Sequence, residues 1–150
     1  MALKIEDVLA QLDLDEPDYT EAAKMGPDAI PHLDALVAQD EPRLASKAAY
    51  LAGLISSEQS ASIVTRAAQS QHADVRVTAA AAVRHLQGDA AHQVATTLLG
   101  DEDIGVRKVT LQSAATIQLP SLRARIEELA SSDPEPFLQQ LARETVQRMA

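Results

Sequence analysis

Residues 73–86 have the sequence ADVRVTAAAAVRHL, which contains the helical pattern from which the fold of this chain can be predicted. Asp74 lies in the first turn of this stretch, where a carboxylate complements the positive end of a helix dipole. The stretch predicts a helix from about Ala73 to Gln87, ended by Gly88, with one face in a core. The apolar residues of that face recur at helical spacings and are Val75, Ala79, Ala80, Ala82, Val83 and Leu86.

The same pattern returns every 31 residues. An apolar residue opens each helix-like run, at Leu44, Val75, Val106 and Phe137. Four residues earlier stand Asp40, Gln71, Glu102 and Asp133. Two further apolar ladders keep the spacing, Leu33, Val64, Ala95 and Ile126, and Leu36, Ala67, Leu98 and Leu129. Self-similarity at a fixed period of this length indicates an array of stacked supersecondary units.

Each unit reads as two helices, so the chain is predicted to be all-α, with about ten helices in a single domain. The predicted units are 26–57, 58–88, 89–119 and 120–150. Glycine and proline stand at the joins, where a helix end tolerates glycine and a helix start tolerates proline. Residues 1–25 fit the period loosely and are predicted to form an N-terminal cap, because a terminal unit needs a polar outer face.

Composition narrows the class of protein further. Cysteine is absent, which removes disulfides, thiolate zinc sites and cysteine nucleophiles. The first residues have no basic region followed by an apolar run, and no stretch approaches the roughly 20 apolar residues of a membrane span. We therefore expect a cytoplasmic protein that has no membrane contacts.

The net charge of −9 comes from the amino-terminal end. Residues 1–41 hold eleven acids against Lys4 and Lys24, whereas residues 42–150 hold eleven acids and eleven basic residues. Two explanations stand, the polar outer face of a cap and an acidic surface that engages a basic partner. This charge and the absence of Trp argue against nucleic-acid binding, which demands accumulated positive charge.

Several segments resemble the HEAT repeat, in its short, phycobilisome-lyase-type form. They are 25–33 (MGPDAIPHL), 40–44 (DEPRL), 73–76 (ADVR) and 103–107 (DIGVR). The resemblance covers residues 26–150 and implies a right-handed α-solenoid whose concave face is lined by the second helix of each pair. The sequence departs from the family at Phe137-Leu138, where a Val-Arg pair is usual, and at Thr110-Leu111, where two alanines are usual.

Some HEAT-like proteins are enzymes, but this sequence lacks their signatures. Metal-dependent hydroxylases of this kind carry His-Glu dipeptides, and the sequence has none. His85, Asp89 and His92 lie around one turn, either as metal ligands or as solvated side chains, and we favour the second interpretation. We therefore expect no catalytic residue, no cofactor and no metal site.

The expected function is a non-catalytic interaction or scaffold module that binds a protein or acidic peptide on its concave face. Binding energy in interfaces concentrates on Tyr and Arg. The predicted partner-binding residues are Lys47, Tyr50, Arg84, Lys108 and Arg143. The alternative function is an auxiliary subunit of a lyase- or chaperone-type assembly that acts on a protein partner.

Three structural questions stay open in the sequence. Tyr50 either projects from the concave face or packs under the cap. Arg76 and Arg107 either bind the partner or pair with acids in adjacent repeats. Leu138 is either an ordinary surface leucine or the uncovered apolar end of the array, and the second interpretation predicts self-association through the C-terminal helix.

Overall fold

A computed structural model of the chain describes residues 2–149. This part of the chain is all-α, as predicted, with ten α-helices and no strand. The helices are α1 (Ile5–Leu12), α2 (Tyr19–Ala22), α3 (Ile30–Gln39), α4 (Pro42–Ile55), α5 (Ser60–Ala68), α6 (Ala73–Ala82), α7 (Gly88–Leu99), α8 (Ile104–Ile117), α9 (Arg123–Ser132) and α10 (Pro136–Arg148). Short 3₁₀ segments span Ala23–Ala29, Val83–His85 and Pro120–Leu122. Within residues 2–149, none of these helices combines the length and the apolar character that crossing a bilayer needs.

Side chains just before α4 and α8 cap the backbones of these helices. Glu41 accepts a hydrogen bond from the amide of Leu44 at 2.8 Å, and Asp103 accepts one from the amide of Val106 at 3.0 Å. Such acceptors satisfy amides that have no partner inside the helix. The predicted end of α6 is wrong, because the helix stops at Ala82 and tightens into a 3₁₀ turn.

The helices pack in two series. The second helices α4, α6, α8 and α10 each contact the next member, and so do the first helices α3, α5, α7 and α9. Each first helix also packs on the second helix that follows it. Two of the predicted ladders are confirmed as core, because their members are fully or almost fully buried: Leu33, Val64, Ala95 and Ile126, and Leu36, Ala67, Leu98 and Leu129.

Small residues let α4 and α6 approach closely. A Cβ atom placed on Gly53 would lie 3.2 Å from the Cβ of Ala82. Carbon atoms at their optimal separation are about 3.5–4.0 Å apart, so this contact has no room for a larger side chain. The alanines of both helices serve the same packing, and Ala49 and Ala79 are fully buried.

The remaining ladder is wrong at its last position. Val75 and Val106 are fully buried as predicted, but Phe137 is 50% exposed and Leu138 is 0% exposed. One extra residue precedes α10, so Leu138 follows Val106 by 32 residues and takes the place predicted for Phe137. Leu138 is therefore not an uncovered apolar end, and this basis for self-association through the C-terminal helix is removed.

The amino-terminal region packs on the first helix pair. Val8 and Leu12 of α1 are fully buried, and α1 contacts α3 and α4. Helix α2 is a single turn that continues as the 3₁₀ segment from Ala23, and Gly26 interrupts this segment with a non-helical backbone and φ of 71°. Residues 13–18, which connect α1 to α2, are mainly exposed, and we call them the acidic strap.

Candidate protein-interaction face

Two arginines of the second helices join neighbouring helix pairs. Arg76 donates from Nε to Oδ2 of Asp101 at 2.9 Å, and Arg107 donates from Nε to Oδ2 of Asp133 at 2.9 Å. Arg76 also donates to the carbonyl of Ser70 at 3.0 Å, and Arg107 donates to that of Asp101 at 2.8 Å. Arg76 and Arg107 therefore pair with acids of the next helix pair, which is one of the two roles that the sequence left open for them.

A neutral residue takes the arginine position in the last helix pair. Gln139 donates from Nε2 to the carbonyl of Asp133 at 2.7 Å, six residues before it. Arg107 makes the corresponding bond to the carbonyl of Asp101, also six residues before it. Gln139, rather than Leu138, is therefore the counterpart of Arg107, which agrees with the corrected ladder.

The other exposed side chains of the second helices form the candidate interaction face. Six residues after the corrected ladder positions, which run from Leu44 to Leu138, come Tyr50, Ala81, Gln112 and Glu144, and we call the surface they mark the α4–α10 face. A groove of about 290 Å³ opens on this face beside α8 and α10. The groove is lined by Arg84, Gln112, Ala115, Thr116, Leu141, Glu144, Thr145 and Arg148.

Arg84 lies on the α4–α10 face, and its side chain is exposed. Its guanidinium donates to Oγ of Ser113 at 3.2 Å and to the carbonyl of Ala81 at 3.1 Å. These bonds hold an exposed cation over the junction of α6 and α8. Lys108 is exposed on α8, one turn before Gln112.

Arg143 lies in a different depression, between α9 and α10. Its Nη1 donates to the carbonyl of Ala130 at 2.9 Å, and its side chain lines this depression together with Val146. Arg143 follows Phe137 by six residues, but because of the extra residue before α10 the corresponding place on the face belongs to Glu144, six residues after Leu138. The α10 arginine that lines the groove is Arg148, which was not among the predicted binding residues.

A repeated dipeptide could have identified the extra residue. Glu41-Pro42 begins α4, and Glu135-Pro136 begins α10, with proline at the first helical position in both. Counting from the two prolines, rather than from the 31-residue period, aligns Leu44 with Leu138.

Lys47 and Tyr50 contact the amino-terminal region instead of facing open solvent. The ammonium of Lys47 donates to the carbonyl of Leu14. The ring of Tyr50 lies edge-on to Tyr19, with centroids 5.0 Å apart, and edge-on to His85, with centroids 6.0 Å apart. The structure therefore has Tyr50 packed under the cap, in a row of rings that also reaches the end of α6.

The rings at both ends of this row have shifted proton affinities. Burial raises the pKa of Tyr19, and the nearby phenol of Tyr50 adds to the shift. Burial lowers the pKa of His85, and the positive charge of Arg84 adds to that shift. Among the described residues, Nε2 of His85 is buried without a hydrogen-bond partner. A proton on this nitrogen would therefore have no acceptor, which agrees with the lowered pKa.

The side chains considered as metal ligands are not gathered. Residues 2–149 contain no group of three or more His, Cys, Asp or Glu side chains placed to hold one metal ion. His92 instead hydrogen-bonds through Nδ1 to Oγ of Ser121 at 2.8 Å.

No protein-family model matches the chain, and no curated protein matches it.

Proposed function

We propose that the chain is a right-handed α-solenoid of HEAT-like repeats that acts as a non-catalytic interaction module and binds a protein or acidic peptide on the α4–α10 face. The two series of packed helices support the solenoid, because in such arrays each unit contacts its neighbours and the stack creates an extended concave surface. The absence of His-Glu dipeptides from the sequence favours a binding role over the hydroxylase chemistry of some HEAT-like proteins.

The groove beside Arg84 and Arg148 is the observation that carries the proposal. It combines two guanidinium groups with one carboxylate, that of Glu144, and with neutral polar side chains, and Ala115 and Leu141 add apolar surface. A guanidinium presents a planar fork of donors that matches a carboxylate. The groove therefore suits an acidic side chain or a terminal carboxylate of a partner.

The balance of charge on the face favours the same partner. Arg76 and Arg107 are already paired with acids of this chain. The exposed cations from α6 to α10 are Arg84, Lys108, Arg143 and Arg148, of which Arg143 lies in the separate depression beside α9. Asp74 and Glu144 are the exposed acids of the same helices. An excess of positive charge steers acidic partners towards the face and selects against basic ones.

Capture of a partner by the immobilised chain, followed by affinity measurements with charge-reversed variants, tests the proposal. The double variant Arg84→Glu with Arg148→Glu should weaken binding about 30-fold or more, as expected when central arginines of an interface are lost. The matched control reverses two exposed arginines of the first helices, Arg66→Glu on α5 with Arg123→Glu on α9. Loss of binding in the control, with normal binding by the face variant, would contradict the proposal.

A further inference from the structure

The acidic strap occupies one end of the α4–α10 face. Its six residues, DLDEPD, include four acids. Oδ1 of Asp13 lies 2.7 Å from Nη1 of Arg43, and the carbonyl of Leu14 accepts a hydrogen bond from Lys47. Asp13 raises the pKa of Arg43, and Asp15 adds a smaller effect of the same sign, so the strap presents two acids to this arginine.

The strap continues along α4 into an aromatic contact. Tyr19, the first residue after it, packs edge-on against Tyr50 with ring centroids 5.0 Å apart. Arg43, Lys47 and Tyr50 lie on successive turns of α4. The strap and Tyr19 therefore lie along α4 as an acidic segment of a partner would, and they contact α4 through a carboxylate, a backbone carbonyl and a ring.

The corresponding positions on later helices are open to a partner. Gln112 and Glu144 are the counterparts of Tyr50 on α8 and α10, and both are exposed and line the groove. The strap thus covers the α4 end of the face, and the groove lies at the α8 and α10 end.

The ion pair that holds the strap to α4 is exposed to solvent. The side chains of Arg43 and Asp13 are 52% and 50% exposed, whereas those of Arg107 and Asp133 are 9% and 0% exposed. Exposed ion pairs contribute little to stability and are screened by salt. Leu12 before the strap and Ala22 after it are fully buried, so the strap can leave α4 while α1 stays packed in the core.

We propose that the acidic strap is an internal competitor for the α4–α10 face, and that the partner of this face is an acidic, extended polypeptide segment that displaces the strap from Arg43 and Lys47. The inference rests on the proposed function for the identity of the face, and it adds the chemistry of the partner and a means of regulation.

A peptide added to the full chain tests the competition. The probe is a synthetic peptide with the sequence of residues 11–20, QLDLDEPDYT, carrying the change Tyr19→Phe. The chain has two tyrosines and no Trp, so its near-ultraviolet circular dichroism reports the contact between Tyr19 and Tyr50. A control peptide replaces every acid by its amide.

The strap variant Asp13→Asn with Asp15→Asn should bind the probe about threefold to fivefold more tightly than the wild type, because an exposed ion pair no longer competes. Binding to the wild type should change the tyrosine signal, and the amide peptide should leave it unchanged. Adding Arg43→Gln and Lys47→Gln to the strap variant should remove the gain. The single variant Asp15→Asn, at an exposed position, should give a smaller gain if the double variant does not fold.

Equal affinities for wild type and strap variants, or a gain that survives Arg43→Gln and Lys47→Gln, would overturn the competition. Failure of the probe to bind would overturn it as well. A captured partner that depends on Arg84 but binds the wild type and the strap variants equally would overturn the competition and leave the proposed function standing.

Discussion

Arg107 and Asp133 form a buried, two-bonded ion pair between α8 and the turn before α10. Nε of Arg107 lies 2.9 Å from Oδ2 of Asp133, and Nη2 lies 3.2 Å from Oδ1. Oδ1 of Asp133 also accepts the amide of Glu135 at 2.9 Å. One carboxylate therefore joins two helix pairs and shapes the turn that starts α10.

Removing this carboxylate should destabilise the fold strongly. Asp133→Ala leaves the guanidinium of Arg107 buried without its counter-charge, which costs about 3–5 kcal/mol of the free energy of unfolding. Urea denaturation measures the change. Asp34→Ala is the matched control, because its ion pair with Arg66 is exposed and should be worth less than about 1 kcal/mol. Equal losses in the two variants would contradict a special role for the buried pair.

Truncation of two adjacent residues tests the corrected ladder. Leu138→Ala should cost about 2–5 kcal/mol, because Leu138 is fully buried and its loss leaves a cavity. Phe137→Ala, at a half-exposed position, should change the free energy of unfolding by less than about 1 kcal/mol. The reverse order in thermal or urea unfolding would restore the strict 31-residue period.

The fold class and most of the core could be predicted from the sequence because the repeat is local. The residues of two ladders depend on helix periodicity within one unit, and these ladders are confirmed from Leu33 to Leu129. The error at Phe137 arose where a turn gained one residue, since a fixed period carries no information about insertions. The Glu135-Pro136 start of α10 held that information locally.

The candidate face was harder to predict, because it depends on contacts between distant segments. The position of Arg84 on a second helix can be predicted from the repeat alone, and its side chain lines the groove. The positions of Lys47 and Tyr50 on α4 can be predicted in the same way, but the acidic strap contacts Lys47 and Tyr19 contacts Tyr50. The 31-residue period could not predict these contacts, because the strap is not part of a repeat. Arg143 was misplaced by the same extra residue that misplaced Phe137.

A charge in the α5–α6 pair should uncouple the helix pairs on its two sides. Val75→Asp places a carboxylate at a fully buried position of α6, which costs several kcal/mol when no partner satisfies it. The melting midpoint followed by circular dichroism should fall well below that of the wild type. Thr65→Asp, on the exposed side of α5, is the control and should melt near the wild-type midpoint. An unchanged midpoint for Val75→Asp would remove Val75 from the core.

His85 should make stability depend on pH in one direction. Its pKa in the folded chain lies below the ordinary 6.5, so the unfolded chain takes up the proton first as the pH falls. The stability that wild type has relative to His85→Gln should be fully present above the ordinary pKa of 6.5 and should decrease as the pH falls below it.

The decrease attributed to His85 should be smaller when both proteins carry Arg84→Gln, because Arg84 contributes to the pKa shift. Urea denaturation at a series of pH values measures it. A difference between wild type and His85→Gln that stays constant, or grows towards acid, would contradict the burial of the neutral ring.

Hydrogen–deuterium exchange of the chain, alone and with its captured partner, tests the claim that the α4–α10 face binds this partner. If the α4–α10 face binds the partner, amide exchange should slow in the exposed turns of α6, α8 and α10, and the region around Arg84, Gln112 and Arg148 should change most. Exchange in α3, α5, α7 and α9 should stay as it is in the free chain. Slower exchange confined to those first helices would contradict the claim and assign the binding to the opposite face.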